Sequence, residues 1–420
     1  MDTGQSRFNN RPSKTMTTRE ATELLGIKAA TLYTYVSRGL IRSVPSPTDS
    51  RRKLYLRTDV ERLKARHDAR AGHAAAASEA LQWGQPVIDT AISHISSEGP
   101  LYRGRSAAEL AYAGVGFEAV AEWLWAETPP LQRTVWPSPP HTSTLVEALG
   151  LHVQPGEDFL SVLMGAVSLA GLADVGRHGA PPEADMARAR SLIRRLPAWL
   201  SLAVGPERYT AALQAKSVAG SFATALGRSS PEVEAGIERA LIVCADHELN
   251  ASSFAARVAA STGADLYACV GAGLAALSGP RHGRVSLRVE ALVREVGSPE
   301  AASRAIRRRL QRGEPIDGFG HPLYPEGDRR FDLLMETARA MGPERDTVRI
   351  LVAVCEAMAD AGYPPPTLDV GLVALAGALD LPDGAASALF GVGRSAGWVA
   401  HIFEQRTMGY IRPRARYVGH

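Results

Sequence analysis

The stretch Gly318-Phe319-Gly320-His321-Pro322-Leu323-Tyr324, followed by Asp328 and Arg330, is the most informative part of this chain of 420 residues. Glycine has no Cβ, so a Gly-x-Gly turn lets the backbone approach a ligand closely. The imidazole that follows can polarise a carbonyl group, and the later arginine can hold a carboxylate with two parallel hydrogen bonds. A glycine-flanked histidine is also typical of a solvated turn, so the stretch indicates a site only if other motifs accompany it.

Two further motifs lie upstream, Ala245-Asp246-His247-Glu248-Leu249-Asn250-Ala251-Ser252 and Gly279-Pro280-Arg281-His282-Gly283. In this order and at this spacing, the three motifs resemble the citrate synthase family. The resemblance extends over about residues 84–418 through the segments 101–104, 117–120, 246–263, 391–405 and 411–414. It implies a large and a small helical domain that enclose an active site, in a unit that is at least a dimer.

Composition places the chain among soluble globular proteins, with 45% hydrophobic and 22% charged residues. The first twenty residues are polar and basic and lack the apolar run of a secretory signal. No apolar segment is long enough to span a bilayer, so we expect no membrane partner. The cysteines Cys244, Cys269 and Cys355 lack metal-ligand spacing, which predicts buried free thiols, no metal site and a cytoplasmic protein.

Charge is unevenly distributed along the chain. Residues 1–66 hold fourteen Lys and Arg against six Asp and Glu, a net of +8, and the chain as a whole carries +3. The remaining residues therefore carry 3 − 8 = −5. A basic head on an acidic body indicates that the head alone meets a polyanion.

The head resembles the winged helix-turn-helix of the MerR and excisionase families. Thr17 or Thr18 can cap a helix over 19–25, Gly26 ends it, and a second helix is expected over 29–36. A basic wing over 45–53, a strand over 54–56 and a closing helix over 58–66 follow. The resemblance implies contacts with the bases of duplex DNA from Lys28, Thr31, Tyr33 and Thr34, and with its phosphates from Arg38, Arg51, Arg52 and Lys53. The alternative is a helical module for protein contact.

The remainder reads as mainly α-helical, with one short hairpin near 93–104. Apolar periodicity predicts helices over 117–125, 162–173, 186–196, 211–226, 231–244 and 266–277. The predicted organisation is a disordered tail at 1–14, a helix-turn-helix domain at 15–66, a linker at 67–82 and an all-α domain at 83–420. Within that domain, a small subdomain is expected at about 284–380.

The family resemblance assigns a chemical role to three residues. Asp369 matches the base that deprotonates the methyl group of acetyl-CoA, His282 the residue that stabilises the enol, and His321 the residue that polarises the carbonyl of oxaloacetate. Partial desolvation of Asp369 would raise its basicity. We expect a helix that begins near Ser286, a plausible cap, to keep His282 neutral through its dipole. Without the resemblance, the position of Asp369 before an Ala- and Leu-rich segment predicts a helix N-cap.

The remaining assignments concern binding. His247, Arg330, Arg394 and Arg412 match the residues that bind oxaloacetate, with Arg412 supplied by the partner subunit of a homodimer. For His247 the alternative is a core histidine bonded to a backbone carbonyl. Gly318, Phe319 and Gly320 resemble the turn that holds the adenine end of CoA. The thioester is a substrate, so no bound cofactor is expected.

Two departures from the family pattern affect the expected activity. Arg284 is bulky where small residues usually follow the histidine, and Pro325 replaces a basic residue that commonly assists CoA, with Arg329 in place of a proline. Three hypotheses remain: a citrate synthase, a 2-methylcitrate synthase that uses propionyl-CoA, and a metabolite-sensing DNA-binding regulator. The retained Asp369 favours an enzyme, since a sensor needs arginines but no base.

Overall fold

The computed structural model describes residues 15–37, 40–45, 53–60, 88–97, 99–126, 132–141, 143–179 and 181–413. The chain divides into two units: Met1–Asp89 with Arg412–His420, and Thr90–Ile411. We call residues 15–60 the head and residues 90–411 the body. The predicted tail at 1–14 and the predicted linker at 67–82 lie outside the described residues.

The described residues of the head form two helices, a three-stranded antiparallel sheet and a helical segment at 57–60. Its elements are β1 (Thr15–Met16), α1 (Thr18–Leu25), α2 (Ala29–Ser37), β2 (Ser43–Pro45) and β3 (Lys53–Leu56). The strand order is β1-β3-β2, with Thr15 opposite Leu56 and Val44 opposite Leu54. Buried apolar side chains hold these elements together: Met16, Ala21, Leu25, Leu32, Ile41, Tyr55 and Val60.

Local sequence signals explain where the head helices begin and end. The Thr17 side chain accepts a hydrogen bond from the backbone N–H of Glu20, and the Glu20 carboxylate accepts one from the N–H of Thr17 at 2.7 Å. This reciprocal pair is a capping box, so Thr17 rather than Thr18 is the cap. Gly26 ends the helix with a φ of +62°, in the left-handed region that favours glycine.

The two predicted head helices are confirmed to within a residue, but three details differ. The strand predicted over 54–56 begins one residue earlier, at Lys53. β1 was not predicted, because two residues are too short to show periodicity. Within the predicted wing and closing helix, residues 46–52 and 61–66 lie outside the described residues, while 57–60 are helical.

Among its described residues, the body is helical apart from one small antiparallel sheet and the connecting loops. The sheet comprises β4 (Ser93–Ser96), β5 (Gly99–Tyr102) and β6 (Arg105–Ser106), with Ser93 opposite Tyr102. The first helices are α3 (Ala107–Ala113), α4 (Phe117–Trp125), α5 (Ser143–Gly150), α6 (Phe159–Ala173), α7 (Pro182–Leu200), α8 (Tyr209–Gln214) and α9 (Val218–Ala225). There follow α10 (Pro231–Cys244), α11 (Ala251–Ser261), α12 (Leu266–Leu277), α13 (Val285–Val296), α14 (Ala302–Gln311), α15 (Arg329–Met341), α16 (Asp346–Asp360), α17 (Leu368–Ala378) and α18 (Ala385–Arg406). Short 3-10 turns occupy Ser201–Ala203, Pro206–Arg208 and Pro299–Ala301.

The predicted all-α class is confirmed, and so are the bounds of α4, α10 and α12. α6 and α7 each begin a few residues before the predicted start. α6 begins directly after its cap, Asp158, and the first turn of α7, Pro182-Glu183-Ala184-Asp185, lacks an apolar pattern. The single helix expected over 211–226 is wrong. The chain breaks between α8 and α9, and the Ser217 side chain caps the new helix by accepting from the N–H of Gly220 at 2.9 Å.

α18 is buried along nearly its whole length and packs against α10, α11, α12 and α17. Close helix contact here requires glycine. A Cβ on Gly393 would lie 2.8 Å from the carbonyl oxygen of Leu241, and one on Gly397 would collide with Ala245. These glycines bring α18 against the end of α10, immediately before the Asp246-His247 motif. The same approach places Arg394 beside Cys244.

A second, smaller apolar cluster lies apart from the main core. It is formed by Leu292, Val296, Ala302, Ile306, Ile350, Val354, Ala357 and Met358, from α13, α14 and α16. All eight fall within the predicted small subdomain at 284–380, whose boundaries stay a prediction.

Two further sequence expectations concern cysteines and membranes. Cys244, Cys269 and Cys355 are free thiols, the first two buried, and burial raises the pKa of each to about 12. Within the described ranges, no helix is both long and apolar enough to cross a bilayer.

Candidate active site

The loop between α10 and α11 holds His247 in a constrained conformation. Glu248, the next residue, has a φ of +53°, a left-handed value that a residue with a Cβ rarely adopts. The hydroxyl of Ser93 contacts both ends of this bend: it bonds to the Asp246 carboxylate and accepts from the N–H of Glu248 at 3.1 Å. The Tyr102 hydroxyl also accepts from the N–H of Asp246, at 3.1 Å. The β4–β5 hairpin thus determines where His247 lies.

The His247 imidazole contacts a side chain rather than the backbone carbonyl of the alternative reading. Its Nε2 lies 2.6 Å from the hydroxyl of Tyr324, and its ring meets the His321 ring edge-on with centroids 5.6 Å apart. Burial lowers the pKa of His247 well below the usual range, and the nearby Arg330 and Arg394 act in the same direction. The ring is therefore neutral at pH 7.

His321 follows the Gly-x-Gly turn and is half-buried. The backbone N–H of Leu323 donates to its Nδ1 at 3.2 Å. Burial, followed by the charge of Arg330, lowers the pKa of His321. A neutral ring that accepts at Nδ1 carries its proton on Nε2, so His321 can donate a hydrogen bond from that atom.

The turn itself is hydrogen-bonded to the segment that leads into α17. The N–H of Gly320 donates to the carbonyl of Pro365 at 2.9 Å, and the N–H of Thr367 donates to the carbonyl of Gly318 at 2.8 Å. Gly318 has a φ of +88°, and a Cβ there would lie 2.7 Å from Val370. The turn therefore brings His321 and Asp369 into one rigid substructure. Phe319 also lines a cavity of about 220 Å³.

Asp369 lies in the first turn of α17, whose N-cap position is occupied by Thr367, so the N-cap reading is wrong. Its Oδ1 accepts a hydrogen bond from the Ser286 hydroxyl at 2.8 Å. Burial raises the pKa of Asp369 to about 6, although Ser286 and Arg330 act in the opposite direction. A carboxylate of this kind is ionised at neutral pH and more basic than an exposed aspartate.

Ser286 is not the helix cap that the sequence suggested. α13 begins at Val285, and the position before it is Arg284, which makes no capping bond. The reason for a neutral His282 also differs from the helix dipole we expected. Burial is the main cause that lowers its pKa to about 4, and the charge of Arg394 adds to it.

The His282 ring lies against the hydroxyl of Ser252, with Nε2 and Oγ 2.9 Å apart. That hydroxyl accepts from the indole N–H of Trp398 at 3.1 Å, and its single proton has two candidate acceptors. One is Oδ1 of Asn250 at 2.7 Å, and the other is Nε2 of His282. When Ser252 donates to His282, the neutral ring carries its own proton on Nδ1.

Arg330 is buried at the start of α15 and forms a two-pronged ion pair with Asp328. Its Nε lies 2.9 Å from Oδ1, and its Nη2 lies 2.7 Å from Oδ2. Oδ2 of Asp328 also accepts from the N–H of Leu368 at 3.2 Å, one residue before Asp369. Asp328 raises the pKa of Arg330 against the effect of burial, so the guanidinium stays charged.

Arg394 is buried without such a partner. Its Nε donates to the carbonyl of Cys244 at 2.7 Å, and its guanidinium lies 4.9 Å from the ring centroid of Phe390. Its Nη2 is buried and makes no hydrogen bond in the described structure. Burial lowers the pKa of Arg394. A buried cation with an unused donor is a site for an anion such as a carboxylate.

The structure thus brings together most of the residues that the sequence singled out. The charge of Arg330 or Arg394 lowers the pKa of each of four residues: His247, His282, His321 and Asp369. Arg412 is exposed on the segment after α18. The sequence analysis did not assign Tyr324, Asp328, Ser252 or Ser93, although the first two stand in the opening motif. In the described part of the chain, no cluster of three or more His, Cys, Asp or Glu could hold a metal ion.

The two departures lie close to this site in sequence, and the structure accounts for Arg284. Arg284 forms an ion pair with Asp158, the cap of α6, with Nη2 and Oδ2 2.8 Å apart. Its guanidinium is therefore directed to α6. Pro325 is exposed beside Tyr324.

The residues proposed for DNA contact lie in the head. Lys28, Tyr33, Thr34 and Lys53 are exposed, and Thr31 is half-buried. Arg38, Arg51 and Arg52 lie outside the described residues.

The described body is thus a helical fold with two adjacent histidines, an aspartate of raised pKa and two buried arginines. Residues 80–414 match the family model for the citrate synthase C-terminal domain, and residues 15–68 match a helix-turn-helix domain model. The chain belongs to the citrate synthase family. It is a transferase of the type that converts an acyl group into an alkyl group on transfer.

Relatives within the family carry two activity names. The chain is 30% identical to a citrate synthase of Mycolicibacterium smegmatis over 79% of this chain and 93% of that one. It is 31% identical to a 2-methylcitrate synthase of Mycobacterium tuberculosis over 80% of this chain and 89% of that one.

Solved structures show the same fold. The citrate synthase of Thermoplasma acidophilum, in a ternary complex with carboxymethyl coenzyme A and oxaloacetate, has a TM-score of 0.71 and 26% identity. The match covers 81% of this chain and 96% of that one. The citrate synthase of Thermotoga maritima gives a TM-score of 0.64 and 26% identity, over 80% of this chain and 94% of that one.

Proposed function

We propose that this chain condenses acetyl-CoA with oxaloacetate and water to citrate and free CoA. Propionyl-CoA, which would give 2-methylcitrate, is the alternative acyl donor. The observation that carries the proposal is the hydrogen-bonded connection between the His321 turn and the start of α17. It holds a carbonyl-polarising imidazole and a base of raised pKa in one substructure, which a carbon–carbon condensation needs.

In the first step Asp369 removes a proton from the methyl group next to the thioester. A pKa of about 6 supports this role, since the group is ionised at pH 7 yet basic. The thioester oxygen gains negative charge as the enolate forms. His282 donates a hydrogen bond to that oxygen from Nδ1 when Ser252 donates to Nε2.

In the second step the enolate carbon attacks the ketone carbon of oxaloacetate, and a carbon–carbon bond forms. The ketone oxygen gains charge and accepts from Nε2–H of His321. Water then hydrolyses the thioester, which releases CoA. Arg330 and Arg394, with His247, hold the two carboxylates. Gly318, Phe319 and Gly320 bind the adenine end of CoA.

We propose a homodimer as the working unit, with Arg412 of each chain completing the site of the other. The exposure of Arg412 in the single chain is compatible with such a role.

We further propose a cytoplasmic location, on the evidence of three free thiols.

A CoA-release assay with oxaloacetate and either acetyl-CoA or propionyl-CoA tests the activity. We expect release that depends on oxaloacetate, and the higher kcat/KM identifies the acyl donor. No release with either thioester would contradict the enzymatic proposal. It would favour the other hypothesis, a DNA-binding regulator whose body senses a metabolite.

A second function, binding of duplex DNA by the head, is favoured by the exposed residues of α2. Lys28, Tyr33 and Thr34 project from its start and middle, and Lys53 begins β3. A helix that presents such side chains after a tight turn suits the major groove.

A further inference from the structure

Tyr324 contacts three residues of the proposed oxaloacetate site at once. Its hydroxyl lies 2.6 Å from Nε2 of His247, its ring centroid lies 5.0 Å from that of His321, and the Arg330 guanidinium lies over its ring at 5.2 Å. Only 3% of the residue is exposed. A buried hydroxyl in such a place is costly unless it is hydrogen-bonded, so its partner matters.

The direction of the hydrogen bond follows from the partners available. In the described structure the Tyr324 hydroxyl has His247 as its hydrogen-bond partner. A phenol that only accepted from His247 would leave its own proton buried without an acceptor. Burial raises the pKa of Tyr324 to about 12, so the phenol keeps that proton at neutral pH. The hydroxyl therefore donates to Nε2.

The tautomer of His247 is then fixed. Burial lowers the pKa of His247, so the ring is neutral and carries one proton. If Nε2 accepts from Tyr324, that proton is on Nδ1. In the described part of the chain Nδ1 has no hydrogen-bond partner, which leaves this N–H as a donor for a ligand oxygen.

We infer that Tyr324 is a positioning residue that holds His247 as an Nδ1–H donor toward oxaloacetate. The inference rests on the proposed function, because it takes oxaloacetate as the ligand of His247. Tyr324 itself acts only through the imidazole.

The first test compares oxaloacetate binding by titration calorimetry in the full-length chain. Tyr324→Phe keeps the ring beneath Arg330 and removes the hydroxyl, and we expect the Kd to rise about tenfold, as for a lost hydrogen bond. As a control, Tyr267→Phe removes a hydroxyl bonded to Asp174 at 3.0 Å, and we expect less than a twofold change. An unchanged Kd in Tyr324→Phe would overturn the inference. A loss of binding in Tyr324→Leu alone would not rescue it, because that variant removes the ring as well as the hydroxyl.

A second pair of variants does not depend on how well Tyr324→Phe folds. The amide of Asn places an N–H near the position of Nδ1, whereas that of Gln lies near the position of Nε2. We therefore expect His247→Asn to bind oxaloacetate at least fivefold more tightly than His247→Gln. The reverse order would assign the proton to Nε2, and either the reverse order or equal binding would overturn the inference.

Combining the Tyr324 and His247 substitutions separates a positioning role of Tyr324 from a purely structural one. If Tyr324 acts through the imidazole, Tyr324→Phe should have less than a twofold effect in a His247→Asn background. The same loss in both backgrounds would show that Tyr324 acts independently of His247.

The binding assay also separates this inference from the proposed activity. A chain that binds oxaloacetate as described but releases no CoA would contradict only the condensation. A wild-type chain that does not bind oxaloacetate would overturn the role of Tyr324.

Discussion

The hydroxyl of Ser286 donates to Oδ1 of Asp369 at 2.8 Å, so the protein holds one oxygen of this carboxylate. A hydrogen bond to the charged form of an acid lowers its pKa, whereas burial raises it. The second effect is the larger here, and the pKa of Asp369 is raised to about 6. The balance of the two sets the pH range in which Asp369 can act as a base.

Asp369→Asn should abolish condensation and leave oxaloacetate binding near normal, because an amide cannot accept the methyl proton. CoA release and calorimetry on the same preparation measure both. In the wild type, kcat/KM for the thioester should fall as pH drops below about 6, where Asp369 becomes protonated. Retention of more than about a tenth of the rate, a barrier change of only ~1.4 kcal/mol, would show that Asp369 is not the base.

Ser286→Ala should move the low-pH fall of kcat/KM to higher pH, because the Asp369 carboxylate loses a donor that favours its charged form. We therefore expect a larger loss of kcat/KM at pH 6 than at pH 8, about threefold or more between the two. Ser221→Ala is a matched control, since the Ser221 hydroxyl is buried and makes no hydrogen bond in the described structure. A loss that is the same at both pH values would assign Ser286 to packing alone.

Glu290→Gln should stabilise the body at alkaline pH relative to the wild type. Burial raises the pKa of Glu290 to about 7 from an ordinary 4.5, although its carboxylate accepts from the N–H of Gly384 at the start of α18. Between pH 4.5 and about pH 7, the unfolded chain has lost the proton that folded Glu290 keeps. The free energy of unfolding therefore falls as pH rises. A glutamine has no such dependence.

Urea unfolding at pH 5 and pH 8 measures this difference. The free energy of unfolding of Glu290→Gln, relative to that of the wild type, should rise by about 2 kcal/mol between the lower and the higher pH. This is somewhat less than the full pKa difference allows. Glu356→Gln, at an exposed position of α16, controls for the loss of one negative charge. A constant difference across the range would mean that Glu290 is ionised throughout.

Mixing Arg412→Ala chains with Asp369→Asn chains should restore some CoA release, if Arg412 reaches into the site of a second copy. Each parent has two defective sites, whereas a mixed dimer has one intact site. Activity after mixing is the measurement, and mass spectrometry confirms subunit exchange. Absence of recovery after exchange would restrict Arg412 to its own chain or to a structural role.

Removal of residues 1–70 should leave condensation largely intact and eliminate binding to duplex DNA. Residues 1–66 hold the excess positive charge, and the body holds the residues assigned to catalysis. Because phosphate contacts release counterions, binding by the full chain should weaken steeply between 50 and 200 mM salt, by roughly a hundredfold or more. A full-length protein that shows no salt-sensitive binding to DNA would leave the head as a module for protein contact.

The sequence determined several of the helices and the identity of the chemical groups. α4, α10 and α12 followed from apolar periodicity and from local stop signals, because helix formation depends on neighbours three and four residues apart. The first head helix followed from its caps, Thr17 and Gly26. The motifs around His247, His282 and His321 named the imidazoles, since residue types and spacing are local information.

Only the tertiary structure decided what each group contacts. Asp369 and Ser286 are 83 residues apart, and His247 and Tyr324 are 77 apart, so no local pattern could pair them. Burial set the protonation of His282, which the sequence had attributed to a helix dipole, because desolvation depends on elements packed from elsewhere in the chain. The residue types of the site follow from the sequence alone, whereas their proton positions and pKa values depend on which distant residues the fold brings into contact.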